Sequence, residues 1–186
     1  MNHEKGNAID AAGVSRGAGM SEQAHAHGRY SVECFDAAGK LKWADVIENI
    51  VTNVGKNLAL DTLLTGSAYT AVAVMGLKGT GTAVIGDTQV SHASWLEVGL
   101  ANAPAYSGTR KTPAFAAASA GSKATSAAAS FAFTSAGTVA GCFINLAGAA
   151  TIDATTGTLY SAGDFTGGSK VVASGDTLNV SYTASL

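Results

Sequence analysis

The stretch Tyr30-Ser-Val-Glu-Cys-Phe-Asp-Ala-Ala-Gly-Lys-Leu-Lys-Trp43 decides the fold class. Tyr30, Val32 and Cys34 alternate with Ser31 and Glu33, the period of two that sends successive side chains to opposite faces of a strand. Asp36-Ala-Ala-Gly39 supplies a turn in which Gly39 can take a positive φ, and Leu41 and Trp43 resume the alternation. The segment therefore predicts a β-hairpin. Residues 45–54 continue extended, with Val46, Ile47, Ile50 and Val51 favouring a strand.

After Gly55 the spacing becomes helical. Leu58, Leu60, Leu63 and Leu64 fall on overlapping faces, and Gly66 is placed to stop a short helix over residues 57–64. Beyond it come short runs separated by Gly, Ser, Asp and Asn. Residues 71–77, 110–117, 124–133, 138–146, 169–173 and 177–183 read as strands, with Phe131 and Phe133 on one face and Leu178, Val180 and Tyr182 alternating. Residues 80–86 read as a loop, and residues 91–98 as a turn of helix or a short edge. No internal repeat of fixed period is found; residues 157–163 and 62–68 share a turn-like composition that carries no weight, and 157–163 are assigned no strand. Seven or more strands with frequent turns and no βαβ rhythm indicate an all-β fold, a jelly-roll-like antiparallel β-sandwich.

Composition bounds the function. Of 186 residues, 96 are Gly, Ala, Ser or Thr, while charged residues make up 13%, about half the usual share. Few charges leave few acids, bases or cations for catalysis. Residues 1–61 carry 14 of the 24 charged side chains, so the remainder is expected to fold with almost no ion pairs. A net charge of −2 and the lack of clustered Lys and Arg argue against a nucleic-acid partner. No apolar run reaches bilayer length and Met1-Asn-His-Glu-Lys5 lacks a signal-peptide pattern, so synthesis in the cytoplasm and no membrane partner are expected.

Residues 1–27 show neither period and read as an extended N-terminal arm on a sandwich domain of residues 28–186. Ile9, Val14 and Met20 are the arm's few apolar side chains, too few to offset the entropy of ordering it on its own domain. The arm is expected to strap onto an outside surface, the alternative being an inert extension ahead of a start at Met20.

The chemical motifs fail on spacing. Gly76-Leu-Lys-Gly-Thr-Gly81 lacks the four-residue gap and Gly-Lys-Ser/Thr ending of a phosphate loop, and Gly55-Lys56 lacks the upstream glycine. His25 and His27 stand on one side of an extended chain without a third ligand. His92 beside Ser91 and Ser94 reads as a turn or hydrogen-bonding histidine, there being no nucleophile elbow. Asp153, Asp164 and Asp176 read as turn residues. Cys34 and Cys142 are in no ligand spacing and are expected as reduced thiols. The expectation is no catalytic residue, no metal site and no cofactor. Arg110-Lys111 reads as a solvated pair. Trp43 and Trp95 are the side chains most able to anchor an interface, with core packing as the alternative for both. Trp43, Trp95, Arg110, Ile9 and Val14 form the set of interface candidates.

Several segments together resemble the head decoration (cement) proteins of tailed bacteriophages, a family whose relatives sometimes carry tail-fibre labels. They are Leu41-Lys-Trp-Ala-Asp45, Asn49-Ile-Val-Thr-Asn-Val-Gly-Lys-Asn57 with Leu60-Asp61, and Met75-Gly-Leu-Lys-Gly79. Asp87-Thr88, Ser91-His-Ala-Ser-Trp95 with Glu97, Thr109-Arg110 and Pro113-Ala-Phe115 follow. The C-terminal matches are Gly157-Thr-Leu-Tyr-Ser-Ala-Gly163 and residues 172–182. The resemblance implies a jelly-roll-like sandwich that binds the outer capsid surface, bridges major capsid proteins and resides in the virion; residues 1–19 lie outside it. The expected partners are the major capsid protein and a second copy of the chain, as a dimer. A receptor- or glycan-binding module of a tail or head fibre is the alternative.

Overall fold

The computed structural model describes residues 25–66 and 72–186. In chain order the elements are β1 (His27–Phe35), β2 (Leu41–Glu48), β3 (Ile50–Val51), α1 (Asn53–Thr65), β4 (Ala73–Lys78), β5 (Glu97–Val98) and β6 (Ser122–Ala124). They continue with β7 (Ala129–Ala132), β8 (Gly137–Val139), β9 (Gly141–Leu146), β10 (Thr158–Asp164), β11 (Lys170–Val172) and β12 (Thr177–Ser185). The hairpin is β1–β2, and its turn is held by Asp36, whose Oδ1 accepts from the backbone N–H of Ala38 and of Lys40, both at 2.9 Å.

The strands form an antiparallel sandwich. In the first sheet β12 lies between β1 and, on its far edge, β7 and β6, with β2 outside β1. The second sheet runs β3-β10-β9-β4-β5, and β8 with β11 makes a separate ribbon. Inward-facing residues of both sheets meet in one cluster that includes Tyr30, Val32, Met75, Leu77, Phe131, Ile144, Leu178 and Val180. Tyr30 ties the layers together: its hydroxyl is 2.6 Å from Ser161 Oγ on β10, and its ring packs on Tyr182 with centroids 4.6 Å apart. The chain passes from the first sheet to the second between β2 and β3, where the Asn49 N–H donates to the Gly28 carbonyl.

Three local expectations are corrected. The helix starts at Asn53, not after Gly55, because Thr52 caps it by accepting from the Gly55 N–H at 3.1 Å. Gly55 belongs inside the first turn: a Cβ there would stand 2.5 Å from the Tyr160 carbonyl, so its absence lets α1 lie directly on β10. Residues 157–163, assigned no strand from the sequence, supply β10, which pairs β9 on one side and β3 on the other. Residues 110–117, read as a strand, make only isolated bridges, Lys111 to Met75 and Phe115 to Thr125. Of the expected arm, residues 1–24 lie outside the described residues, and Ile9, Val14 and Met20 with them.

The expectation of almost no ion pairs is also overturned. Lys42–Asp176, Lys78–Asp164, Glu97–Arg110 and Asp45–Lys170 join distant elements, with an exposed Arg29–Glu48 pair besides. Scarce charges are placed opposite one another, since a lone buried charge costs several kcal/mol.

Candidate functional site

Directly opposite residues of neighbouring strands share a face. The register Lys78↔Glu97, Lys78↔Gly141, Gly141↔Asp164 and Gly76↔Phe143 therefore places Lys78, Glu97, Phe143 and Asp164 on the side of the second sheet turned away from the main core. That side is covered by residues 79–96. Ala83 and Trp95 from this segment pack with Phe143, Leu159 and Ala162 in a second apolar cluster. Trp95 is 2% exposed; its Nε1–H donates to Asp87 Oδ2 at 2.9 Å, and the His92 ring stacks on it at 3.9 Å. His92 Nδ1–H donates to the Trp95 carbonyl at 2.9 Å, the hydrogen-bonding role its sequence context suggested. Ser91 and Ser94 serve the same loop, the Ser91 N–H donating to Thr88 Oγ1 and Ser94 Oγ donating to the Thr82 carbonyl.

Two charged groups are buried beneath. Lys78, whose side chain is fully buried, donates to the Gly79 carbonyl (3.3 Å), the Gly81 carbonyl (2.6 Å) and Asp164 Oδ1, which accounts for all three ammonium protons. Arg110 grips Glu97 as a fork, Nε to Oε1 at 2.8 Å and Nη2 to Oε2 at 2.6 Å. Its remaining protons reach the Ala149 carbonyl (3.1 Å) and the Ala154 carbonyl (2.8 Å), while Glu97 Oε2 also accepts from the Asp153 N–H (2.9 Å). The pair thereby clamps the 149–154 loop to the sheet. Arg110 is 2% exposed, so the solvated reading of Arg110-Lys111 is wrong for its first member, and Arg110 does not offer its charge to a partner. Trp95 is likewise withdrawn from the surface. Trp43 is half-buried against Phe165, rings 5.6 Å apart, with no acceptor for Nε1 among the described residues. Ile9 and Val14 lie outside the described residues.

The turn aspartates divide. Asp176 shapes its turn by accepting from the Ala173 N–H at 2.7 Å and also takes Lys42, whereas Asp164 ends β10 and holds Lys78. Among the described residues no three His, Cys, Asp or Glu side chains gather as metal ligands would. Both cysteines are buried and free. Burial, with the nearby Asp176 carboxylate, pushes the Cys34 thiol up from 9.0 to about 11, and burial pushes Cys142 higher still. A raised folded-state value means stability present below pH 9 and lost as pH rises toward 11. Buried Tyr30 and Tyr182, also raised, add to the loss above pH 10. The urea midpoint is expected to be lower at pH 10.5 than at pH 8, and neither thiol to react with a colorimetric thiol reagent at pH 8 until the protein is unfolded. Prompt reaction of either cysteine in the native protein would contradict this.

What the surface offers is apolar. Twelve large hydrophobic side chains are exposed among the described residues, and nine of them fall between residues 60 and 100. Leu60, Leu63 and Leu64 point outward from α1, and Val84, Ile85, Val90, Leu96 and Leu100 from the covering segment and its continuation. The covering segment meets the start of α1, where the Asn53 N–H donates to the Ile85 carbonyl at 3.0 Å, and the outward leucines follow seven to eleven residues further along the helix. Sequence spacing found the α1 leucines as a helical pattern without saying which of them would be buried. The helix seats itself through Val54, Gly55, Leu58 and Thr62, the less exposed positions, leaving the other leucines outward. A scan against protein-family models gives no match, and a search of curated proteins returns no similar one.

Proposed function

We propose that this chain is a non-enzymatic virion structural protein, a capsid decoration or cement protein that sits on the outer capsid surface and bridges major capsid proteins. The observation that carries the reading is where the apolar surface lies: eight of the twelve large hydrophobics exposed among the described residues belong to α1 and to the segment over the second sheet with its continuation. Exposed apolar patches on soluble proteins mark sites that another macromolecule covers. Behind this surface the buried charges Lys78–Asp164 and Arg110–Glu97 are spent on one another and on nearby carbonyls, giving a rigid platform. The resemblance of residues 28–186 to phage decoration proteins supplies the identity of the covering partner, and dimerisation belongs to the same proposal.

The test is occupancy on purified particles. Leu63→Ser with Leu64→Ser is expected to leave circular dichroism and thermal midpoint nearly unchanged, both side chains being 75% exposed, yet to lower copies per particle about tenfold, the effect of losing ~1.4 kcal/mol of docking energy. Wild-type copy number in the hundreds fits lattice decoration. A few copies per virion, or occupancy unaffected by the double substitution, would overturn the reading, the former in favour of a fibre module.

A further inference from the structure

A small cavity opens between the covering segment and the 149–157 loop, with a volume of about 210 Å3. Its lining includes Gln89, Glu97, Asn102 and Asp153. Gln89 is 3% exposed; its Nε2 donates to the Ala154 carbonyl at 3.2 Å, which fixes the amide and leaves Oε1 a buried acceptor without a donor among the described residues. A buried polar atom left unpaired costs about 1 to 3 kcal/mol, so the site calls for a donor. Asn102 repeats the arrangement, its Nδ2 committed to the Glu97 carbonyl at 2.9 Å and its Oδ1 left as an acceptor. Asp153 brings a carboxylate, held in place through its own N–H on Glu97. At the rim stand Val90 and Leu96, two of the most exposed apolar side chains.

We infer that this cavity is a socket for a lysine side chain of the protein docked on the apolar surface. The inference rests on the docking reading above and names the chemistry it selects. A lysine lays its aliphatic stem on Val90 and Leu96 and carries its ammonium inward. Three acceptor groups, Gln89 Oε1, Asn102 Oδ1 and the Asp153 carboxylate, match its three protons. Arginine fits less well, because its rigid planar fork, once set on the Asp153 carboxylate, cannot turn its other donors independently toward the two amide oxygens as an ammonium can. A metal ion fits less well too, since the described residues gather no set of three metal-ligating side chains.

The probe is Nα-acetyl-lysine methylamide titrated into the isolated full chain and followed by the side-chain amide resonances of Gln89 and Asn102. Saturable shifts in the millimolar range are expected, absent with the norleucine analogue, and weakened about fivefold by Asp153→Asn through loss of one charge-assisted bond. No shift up to tens of millimolar, equal shifts from norleucine, or an unchanged response in Asp153→Asn would overturn the socket. Calcium chloride moving the same resonances more strongly than the lysine compound would overturn it in favour of an inorganic cation. Because no particle enters the measurement, its failure leaves the docking reading standing, and failure of the occupancy test leaves the socket measurable.

Discussion

Glu97→Ala is expected to destabilise the protein by about 3 to 5 kcal/mol, the penalty of leaving one partner of a buried ion pair alone. For a chain of this length that lowers the thermal midpoint by on the order of 10 °C. The size follows from what Glu97 holds. Both oxygens are taken by Arg110, and Oε2 also receives the Asp153 N–H, so the truncation strands a guanidinium with no exposed surface and a backbone donor together. A second variant separates charge from packing. Glu97→Leu combined with Arg110→Met removes both charges and is expected to recover about half the loss, since an apolar pair of similar volume often replaces a buried ion pair without cost. Recovery stops short because the Ala149 carbonyl loses its donor and the Asp153 N–H its acceptor, while the Ala154 carbonyl keeps only Gln89. Thermal and urea unfolding check both variants. A single alanine variant within ~1 kcal/mol of the parent would show that the pair is solvated and the clamp on the 149–154 loop is not real.

Gly81→Ala is expected to lift the covering segment from the second sheet. Gly81 sits at φ +106°, and an added Cβ would stand 1.7 Å from the Ser94 carbonyl oxygen. The dihedral alone costs about 1 to 3 kcal/mol for a residue with a side chain, and the contact is with backbone, which cannot swing aside. Residues 79–83 and 94–96 must then part, taking away the Gly81 carbonyl that Lys78 uses and uncovering Trp95. In a Trp43→Phe background, Trp95 emission is expected to shift to the red and become accessible to acrylamide. Amide exchange is expected to rise across residues 82–95 while β1 and β12 keep their protection. Unaltered emission together with unaltered exchange would refute the two-layered account of this face.

The parts of the fold legible in the sequence are those with one buried and one wet face. Tyr30, Val32 and Cys34, or Leu178, Val180 and Tyr182, alternate because the first sheet faces solvent on its outer side. The second sheet is covered on both sides, so its strands lose that alternation. β10, with Ser161, Ala162 and Gly163 all buried, presents small residues that give no alternating strand signal. Site residues were harder still. Arg110 and Lys111 are neighbours in sequence, yet one is buried on Glu97 while the other lies over the Tyr106 ring, and nothing local tells them apart. Gln89, Asn102 and Asp153 come from three separate loops brought together by the Glu97–Arg110 clamp, a juxtaposition with no sequence period. The α1 leucines carried the signal for a helix but not for its buried side, because a glycine, Gly55, lies against the backbone of Tyr160 with no room for a side chain.

The position of β12 sets a clock on manufacture. β1 finds its second partner only in a strand about 150 residues later, His27 pairing with Ser185 and Phe35 with Thr177. At ~5 to 20 residues per second of translation, the first hairpin waits roughly ten to thirty seconds on the ribosome with one edge bare. The most extensive pairing of the first sheet closes last, and a copy whose translation aborts before Thr177 has no central strand to close it. Such fragments keep the hairpin but never the finished sheet, and they expose the β1 edge that β12 covers in the full chain.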